Sequence, residues 1–313
     1  MEKVSLYYIT ALLLVASLGA CGDDKLGDSI FVDSTEELNP LDQWLLDNYT
    51  APYNIDFRYK WTDKDEDYNF DYTPASYDKS IIVANALKYA YLDVLSEAWG
   101  ENFTRGFVPR VINLVGTAKY TSATSTTATV TNAFTTNGMK ITINRVNETP
   151  DQPTIGWLSD HWLKTIYHES CHALADKKPY PDDFKTISNT NYLGEDWNIS
   201  SYTLAQAHTL GFVSRYAREN DSEDFVETLS IYVTRSKVVG DGTADLDRDR
   251  AETWGEIMIA AGDDGAAIIN KKLDIIKNYL KSSWGVSLDD LRRVFERHAE
   301  MIGTIDLSKL EEE

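Results

Sequence analysis

Cysteine is nearly absent from this chain: Cys21 and Cys171 are the two in 313 residues. No disulfide framework can form, so stability has to come from buried apolar surface, and 42% apolar against 26% charged residues is the composition of an ordinary folded protein. Basic residues are also scarce, 30 Lys and Arg against 50 Asp and Glu, for a formal charge of −20. A binder of phosphate backbones needs a basic stripe, and its absence excludes nucleic acid as a partner; the acidity itself serves solubility. The apolar run Leu6 to Leu18 is too short to span a bilayer, which leaves no case for a multi-span membrane protein. Histidine is sparse as well, with five in the chain.

The short apolar run has a different reading. It ends in small residues, as a secretory signal peptide does, and Leu18-Gly19-Ala20-Cys21 resembles the bacterial lipobox, in which the cysteine thiol is lipidated and the chain is cut just before it. Residues 1–20 are then a lipoprotein signal peptide and residues 21–40, polar and acidic from Gly22-Asp23-Asp24-Lys25 onward, a lipidated tether. Several acyl chains on Cys21 would anchor the mature protein to the membrane while its globular part stays in water. The acidic stretch after Cys21 resembles the surface-export signal of Bacteroidetes-type lipoproteins, which implies an outer-membrane anchor with the domain at the cell surface.

Residues 41–313 read as one domain. Tyr53 to Tyr59 alternates like a half-buried strand, and Ile81 to Trp99 has helical spacing closed by Gly100. Val108 to Val146 is rich in Val, Ile and Thr, with Val111 to Val115 and Met139 to Val146 as strands, Asn137-Gly138 as a hairpin turn and Thr121 to Thr129 inside a further hairpin. After Pro153 helices are expected over Asp160–Lys177, Thr203–Ala217, Asp221–Arg235, Arg250–Ala261, Ala266–Trp284 and Ser287–Ile302. Sheet first and helices afterwards predict an α+β fold, an N-terminal mixed sheet with helices followed by a mainly helical C-terminal half.

The chemistry lies in His168-Glu169-Ser170-Cys171-His172. Histidines four apart stack on one helical face and can meet one zinc ion, while Glu169, about 100° round the helix, sits where it can take a proton from the attacking water. Leu163, Ile166, Tyr167, Cys171 and Leu174 give the helix an apolar side, Ser159 or Asp160 can cap it and Pro179 stops it. A catalytic zinc takes three protein ligands, so a third is needed. The metzincin pattern fails, because Ala175 and Lys178 stand where its glycine and histidine belong. Gly242-Thr243-Ala244-Asp245 matches the core of the aspzincin motif, but Arg248-Asp249 replaces the Tyr-Gly that should follow. A second helix from Asp221 offers Glu223 and Glu227, four apart on one face, with Phe225, Leu229, Tyr232 and Val233 to pack inward.

Ser214-Arg215-Tyr216 followed by Glu223 to Glu227 resembles the second-helix motif of the gluzincin metallopeptidases. That resemblance implies a zincin-like metalloprotease domain in which Glu223 is the third zinc ligand, Tyr216 donates its hydroxyl to the developing oxyanion, and Glu227 orients a ligand histidine. A wider resemblance rests on the lipobox, Tyr53-Asn54-Ile55, Pro109-Arg110-Val111, the zinc helix, Gly211 to Ala217 and Glu223-Asp224-Phe225-Val226-Glu227. On these residues the chain is similar to the zinc-binding metallopeptidase lipoproteins of Bacteroidetes, the substrate import-associated group that accompanies TonB-dependent uptake systems. It departs from them in Cys171 within the zinc helix and in Val226 where alanine is commoner. The resemblance implies one Zn2+, a peptide or glycopeptide substrate, and an import complex as a partner.

Other features carry less. His161 is two helical turns from His168, roughly 10 Å, too far to share an ion, and reads as a surface histidine. His208 and His298 have no acids at ligand spacing and read as structural. Asp245, Asp247, Asp249 and Glu256 fit an EF-hand loop except that Arg250 replaces its glycine, so a charged loop is expected there. Cys171, opposite the ligand face, reads as a small core residue, and Leu310 to Glu313 as a solvated tail. The sequence therefore points to a zinc-dependent peptidase. The rival from another class is a non-catalytic surface lipoprotein that binds substrate for import. Glu169 and Tyr216 speak against it, because a structural zinc needs neither a base nor an oxyanion donor.

Overall fold

A computed structural model of the chain describes residues 37–61, 72–120, 130–131, 133–136, 139–236 and 252–310. The lipobox, Cys21 and nearly all of the tether lie outside these residues, as do Thr121–Thr129, Asn137-Gly138, the Gly242-to-Asp245 motif, the EF-hand-like loop up to Asp249, and the tail beyond Leu310.

The chain enters through α1 (Pro40–Leu45), whose start is set by Asn39: its side chain accepts from the Asp42 N–H, and Asp42 returns the bond to the Asn39 N–H. A turn with Asn54 in the left-handed region (φ 56°) cuts short the expected Tyr53–Tyr59 strand, leaving β1 (Asp56–Arg58). The expected helix Ile81–Trp99 is α2 (Tyr77–Leu87) and α3 (Asp93–Trp99), joined through one wide turn at Lys88–Leu92 and closed at Gly100. β2 (Val111–Leu114), β3 (Lys119–Tyr120), β4 (Val130–Thr131), β5 (Ala133–Thr136) and β6 (Lys140–Ile143) follow.

β1, β2 and β6 are parallel, with Phe57 opposite Ile112 and Ile112 opposite Ile141, and β5 completes the sheet antiparallel to β6 with Phe134 opposite Thr142. The order is β1-β2-β6-β5, so β5 is an edge, while β3 and β4 form a separate antiparallel pair. The buried Ile112, Leu114, Ile141 and Ile143 fix the register, since a slip of one residue would turn this apolar set outward.

Beyond the sheet the chain is helical: α4 (Lys164–Lys177), α5 (Leu204–Thr209), α6 (Asp221–Thr234), α7 (Trp254–Tyr279) and α8 (Leu288–Met301). This is the expected α+β architecture with a helical C-terminal half. Two boundaries differ from expectation. The zinc helix starts earlier, at Ile155, and runs through a wide turn at Ser159–Leu163 into α4; its cap is the Thr154 hydroxyl, which accepts from the Trp157 N–H, and not Ser159 or Asp160. The helix expected over Thr203–Ala217 is only α5, because Gly211 adopts φ 83° and its absent Cβ would lie 2.3 Å from Ile268 Cγ2. The two helices expected on either side of Ala261 to Ala266 together make up α7, capped by Thr253, and the break expected between them is at Gly262, whose φ 64° and ψ −175° are not helical.

α6 lies at the centre of this half, packed against α4, α7 and α8. Its residues from Asp224 to Thr234 are all buried, so the one-sided apolar face read from the sequence is instead a helix enclosed all round. No helix among the described residues is long and apolar enough to cross a membrane.

Candidate metal centre

α4 presents His168 and His172 one turn apart on the face that meets α6. α6 begins at Asn220, whose side-chain oxygen accepts from the Ser222 and Glu223 N–H groups at 2.9 and 3.0 Å. This cap places Glu223 in the first turn, where the helix dipole favours a carboxylate, and aims it across at the two imidazoles. The His168 and His172 Nε2 atoms are 3.2 Å apart, and Glu223 Oε2 lies 3.1 Å from the first and 3.4 Å from the second.

Those spacings can be tested against zinc. Bond lengths of about 2.0–2.2 Å at tetrahedral angles put neighbouring ligand atoms roughly 3.3–3.5 Å apart. Three donor atoms at 3.1 to 3.4 Å therefore stand near the corners that one small cation requires. His168, His172 and Glu223 are the one set of at least three His, Cys, Asp or Glu residues among those described whose ligand atoms come together in this way, all within 4.8 Å. Glu223 Oε2 is buried and has no hydrogen-bond partner within the protein. Such an orphaned oxygen, facing two nitrogens whose lone pairs would oppose each other, is the signature of a group waiting for a cation.

The charges agree. Burial pushes the Glu223 carboxyl up, but the His168 and His172 rings beside it prevail and bring it down to about 2, so it is ionised at every working pH. Burial would lower His168, but Glu223 and Glu227 outweigh it and hold the ring above its ordinary value. The His168 ring thus draws a proton beside a fixed negative charge, the arrangement a metal dication relieves.

Glu227, one turn after Glu223, does something else. It is fully buried; its Oε1 accepts from His168 Nδ1 at 2.7 Å and from the Lys164 ammonium, and its Oε2 accepts from the Ser214 hydroxyl at 2.7 Å. An Nδ1–H donated to Glu227 leaves the His168 Nε2 lone pair free for a metal, so Glu227 orients a ligand and is not one. His172 has a looser companion in Ser222, whose hydroxyl is 3.5 Å from Nδ1. Lys164, Ser214 and Ser222 went unread in the sequence. The signal available there was spacing alone: Lys164 precedes His168 by one turn and Ser214 precedes Tyr216 by two residues.

Tyr216 sits on a short 3-10 turn, Tyr216–Arg218, rather than on a helix. Its ring stacks on His168 with centroids 5.8 Å apart and planes 20° from parallel, and Trp197 flanks its other side at 4.8 Å. Burial, then the Glu223 and Glu219 charges and a hydrogen bond to Glu223, push its hydroxyl far above the ordinary tyrosine value, so it stays a proton donor. Glu169 follows His168 on α4, half-buried. The structure thus brings His168, His172, Tyr216, Glu223 and Glu227 together, with Glu169 next to His168 on the same helix.

The remaining candidates sit elsewhere. Cys171 is buried on α4, beside the ligand face and not opposite it as expected, and burial pushes its thiol well up, as fits an inert core residue. His161 stacks on Trp157 at 3.9 Å and is half-buried, less open than a surface histidine. His208 and His298 each meet one distant carboxylate, Glu252 at 2.7 Å and Glu97 at 3.3 Å, and among the described residues neither has the further ligands of a metal site.

Residues 34–289 match the family model described as "Putative zinc-binding metallo-peptidase". The chain belongs to this family. It is also similar to a crystal structure described as a putative zinc-binding metallo-peptidase from Bacteroides caccae, with 32% sequence identity, a TM-score of 0.70, and coverage of 90% of this chain and 100% of the other. No curated protein matches the chain. A zinc-binding family agrees with the His168, His172 and Glu223 cluster, which could hold a metal ion.

Proposed function

We propose that the chain is a zinc-dependent metallohydrolase that cleaves peptide bonds. The observation that carries this reading is the convergence of His168 Nε2, His172 Nε2 and Glu223 Oε2 within 3.4 Å of one another between α4 and α6. These three residues would hold one Zn2+, which supplies Lewis acidity, making water a nucleophile at neutral pH and polarising a carbonyl.

The residues of the chain supply the rest. Glu169 takes a proton from the attacking water and passes it to the leaving nitrogen as the carbon–nitrogen bond breaks. Tyr216, kept protonated by burial and the nearby carboxylates, donates a hydrogen bond to the carbonyl oxygen as it gains charge. Glu227 holds the His168 ring in the tautomer that leaves Nε2 unprotonated. β5, which packs beside α4, has no strand partner on its outer side among the described residues, and an extended peptide could pair there. That edge favours a peptide over an amide in a compact glycoconjugate.

The test is metal analysis of the purified protein together with turnover of a peptide library. About one zinc per chain is expected. Glu169→Gln should retain the metal and lose at least about 10²-fold in rate, and Tyr216→Phe should lose about 10²–10³-fold. Absence of zinc, or equal turnover by Glu169→Gln and wild type, would overturn the enzyme reading and leave a substrate-binding lipoprotein.

The setting we infer is a lipid anchor on Cys21 in the bacterial outer membrane, with the domain outward, acting on extracellular protein or glycoprotein beside a TonB-dependent import complex. The lipobox Leu18 to Cys21 and the acidic residues after it support this. Cys21→Ala should move the protein from the membrane to the soluble fraction on cell fractionation. An unchanged membrane fraction would refute the anchor.

A further inference from the structure

The buried Glu227 carboxylate receives three donors from two parts of the chain, Lys164 and His168 of α4 and Ser214 before α6, and only His168 among them touches the metal centre. We propose that Lys164 and Ser214 are positioning residues of the zinc site: together they clamp the Glu227 carboxylate, and through it they fix the His168 imidazole. The assignment rests on the zinc reading above.

Lys164 stands one turn before His168 on α4, so both side chains point to the same face and reach the same oxygen, Glu227 Oε1. Ser214 takes the other oxygen at 2.7 Å, and its Oγ also accepts from the Ala217 N–H at 3.1 Å, which ties the clamp to the turn that carries Tyr216. The carboxylate is thereby fixed at both oxygens, and so is the direction of its bond to His168 Nδ1.

Charge makes Lys164 more than a packing residue. Of the three donors, a metal-bound His168 is neutral and Ser214 is neutral, so Lys164 brings the one formal positive charge to a carboxylate that has no contact with water. Removing it leaves a buried anion held by neutral donors, and the carboxylate is then free to rotate away from His168. The Lys164 side chain is itself 23% exposed, so an apolar replacement of similar length neither opens a cavity nor buries an orphan at that position.

The experiment is a zinc affinity measurement by chelator competition on the full chain, with far-UV circular dichroism to establish that each variant is folded. Lys164→Met and Ser214→Ala should each weaken zinc binding by about 10–100-fold, the usual cost of losing an outer partner of a ligand histidine. Lys164→Arg should restore near wild-type affinity. In a Glu227→Gln background Lys164→Met should cost nothing further, because its effect passes through that carboxylate. Wild-type affinity in Lys164→Met, or a loss of the same size in both backgrounds, would overturn the assignment while leaving the zinc site standing. Failure of the wild-type protein to bind zinc would remove both.

Discussion

Two carboxylates one helical turn apart, Glu223 and Glu227, have opposite jobs because of what each oxygen meets. Glu223 Oε2 faces two Nε2 atoms and lacks a hydrogen bond, whereas both Glu227 oxygens are satisfied by Lys164, His168 and Ser214. From the sequence both were open as ligands, and only the resemblance to gluzincins favoured Glu223; the distinction lies in contacts between α4 and α6 some sixty residues apart, which spacing cannot reveal. The motif from His168 to His172 was legible because its geometry is internal to one helix. The same charges give a pH dependence. Zinc requires an unprotonated His168 Nε2, and Glu223 and Glu227 hold the His168 pKa above 6.5, so protons compete for the ring already near neutrality. Glu223, at about 2, stays ionised throughout and adds nothing to the slope. Zinc affinity should therefore fall as pH drops from 8 to 5.5, approaching roughly tenfold per unit. Competition titrations across that range check it, and a flat profile would show that His168 is not a ligand.

Among the elements, α6 carries the most consequence. Its boundaries were legible from the apolar spacing; its complete enclosure was not, because polar residues such as Asp224, Thr228 and Ser230 are buried there only by virtue of their partners. Asp224 accepts from Lys272 of α7 at 2.7 Å and from the Tyr192 hydroxyl at 2.9 Å, and Lys272 also donates to the Gly211 carbonyl at 2.7 Å. Burial raises the Asp224 carboxyl to about 6 even against the Lys272 charge, and lowers Lys272 itself, so desolvation is the larger effect on both. Such a pair adds little net stability, but it is costly to break from one side. Lys272→Met should destabilise the fold by about 3–5 kcal/mol in urea denaturation, since it strands Asp224 and releases the Gly211 turn. A loss under about 1 kcal/mol would mean that the pair does not tie α6 to α7. The helix expected over Thr203–Ala217 failed for a related reason: Gly211 is needed in a left-handed conformation against Ile268, a demand set by α7 and invisible in local spacing.

At the scale of the whole molecule, the sheet and the helical half meet along α4, which touches the β5 edge on one side and α6 on the other. The order of sheet then helices was legible from composition along the chain, whereas the parallel pairing of β1, β2 and β6 depends on long-range register and was not. Family membership and a crystal structure from Bacteroides caccae at 32% identity agree with a zinc-binding metallopeptidase. The account stands or falls on one ion held between α4 and α6. A zinc-edge anomalous difference map from crystals of the full domain tests it most directly. A single peak is expected about 2.0–2.2 Å from His168 Nε2, His172 Nε2 and a Glu223 oxygen, with Glu227 bonded only to His168 Nδ1, Lys164 and Ser214. No peak after incubation with zinc, or a peak bonded to Glu227 in place of Glu223, would contradict it.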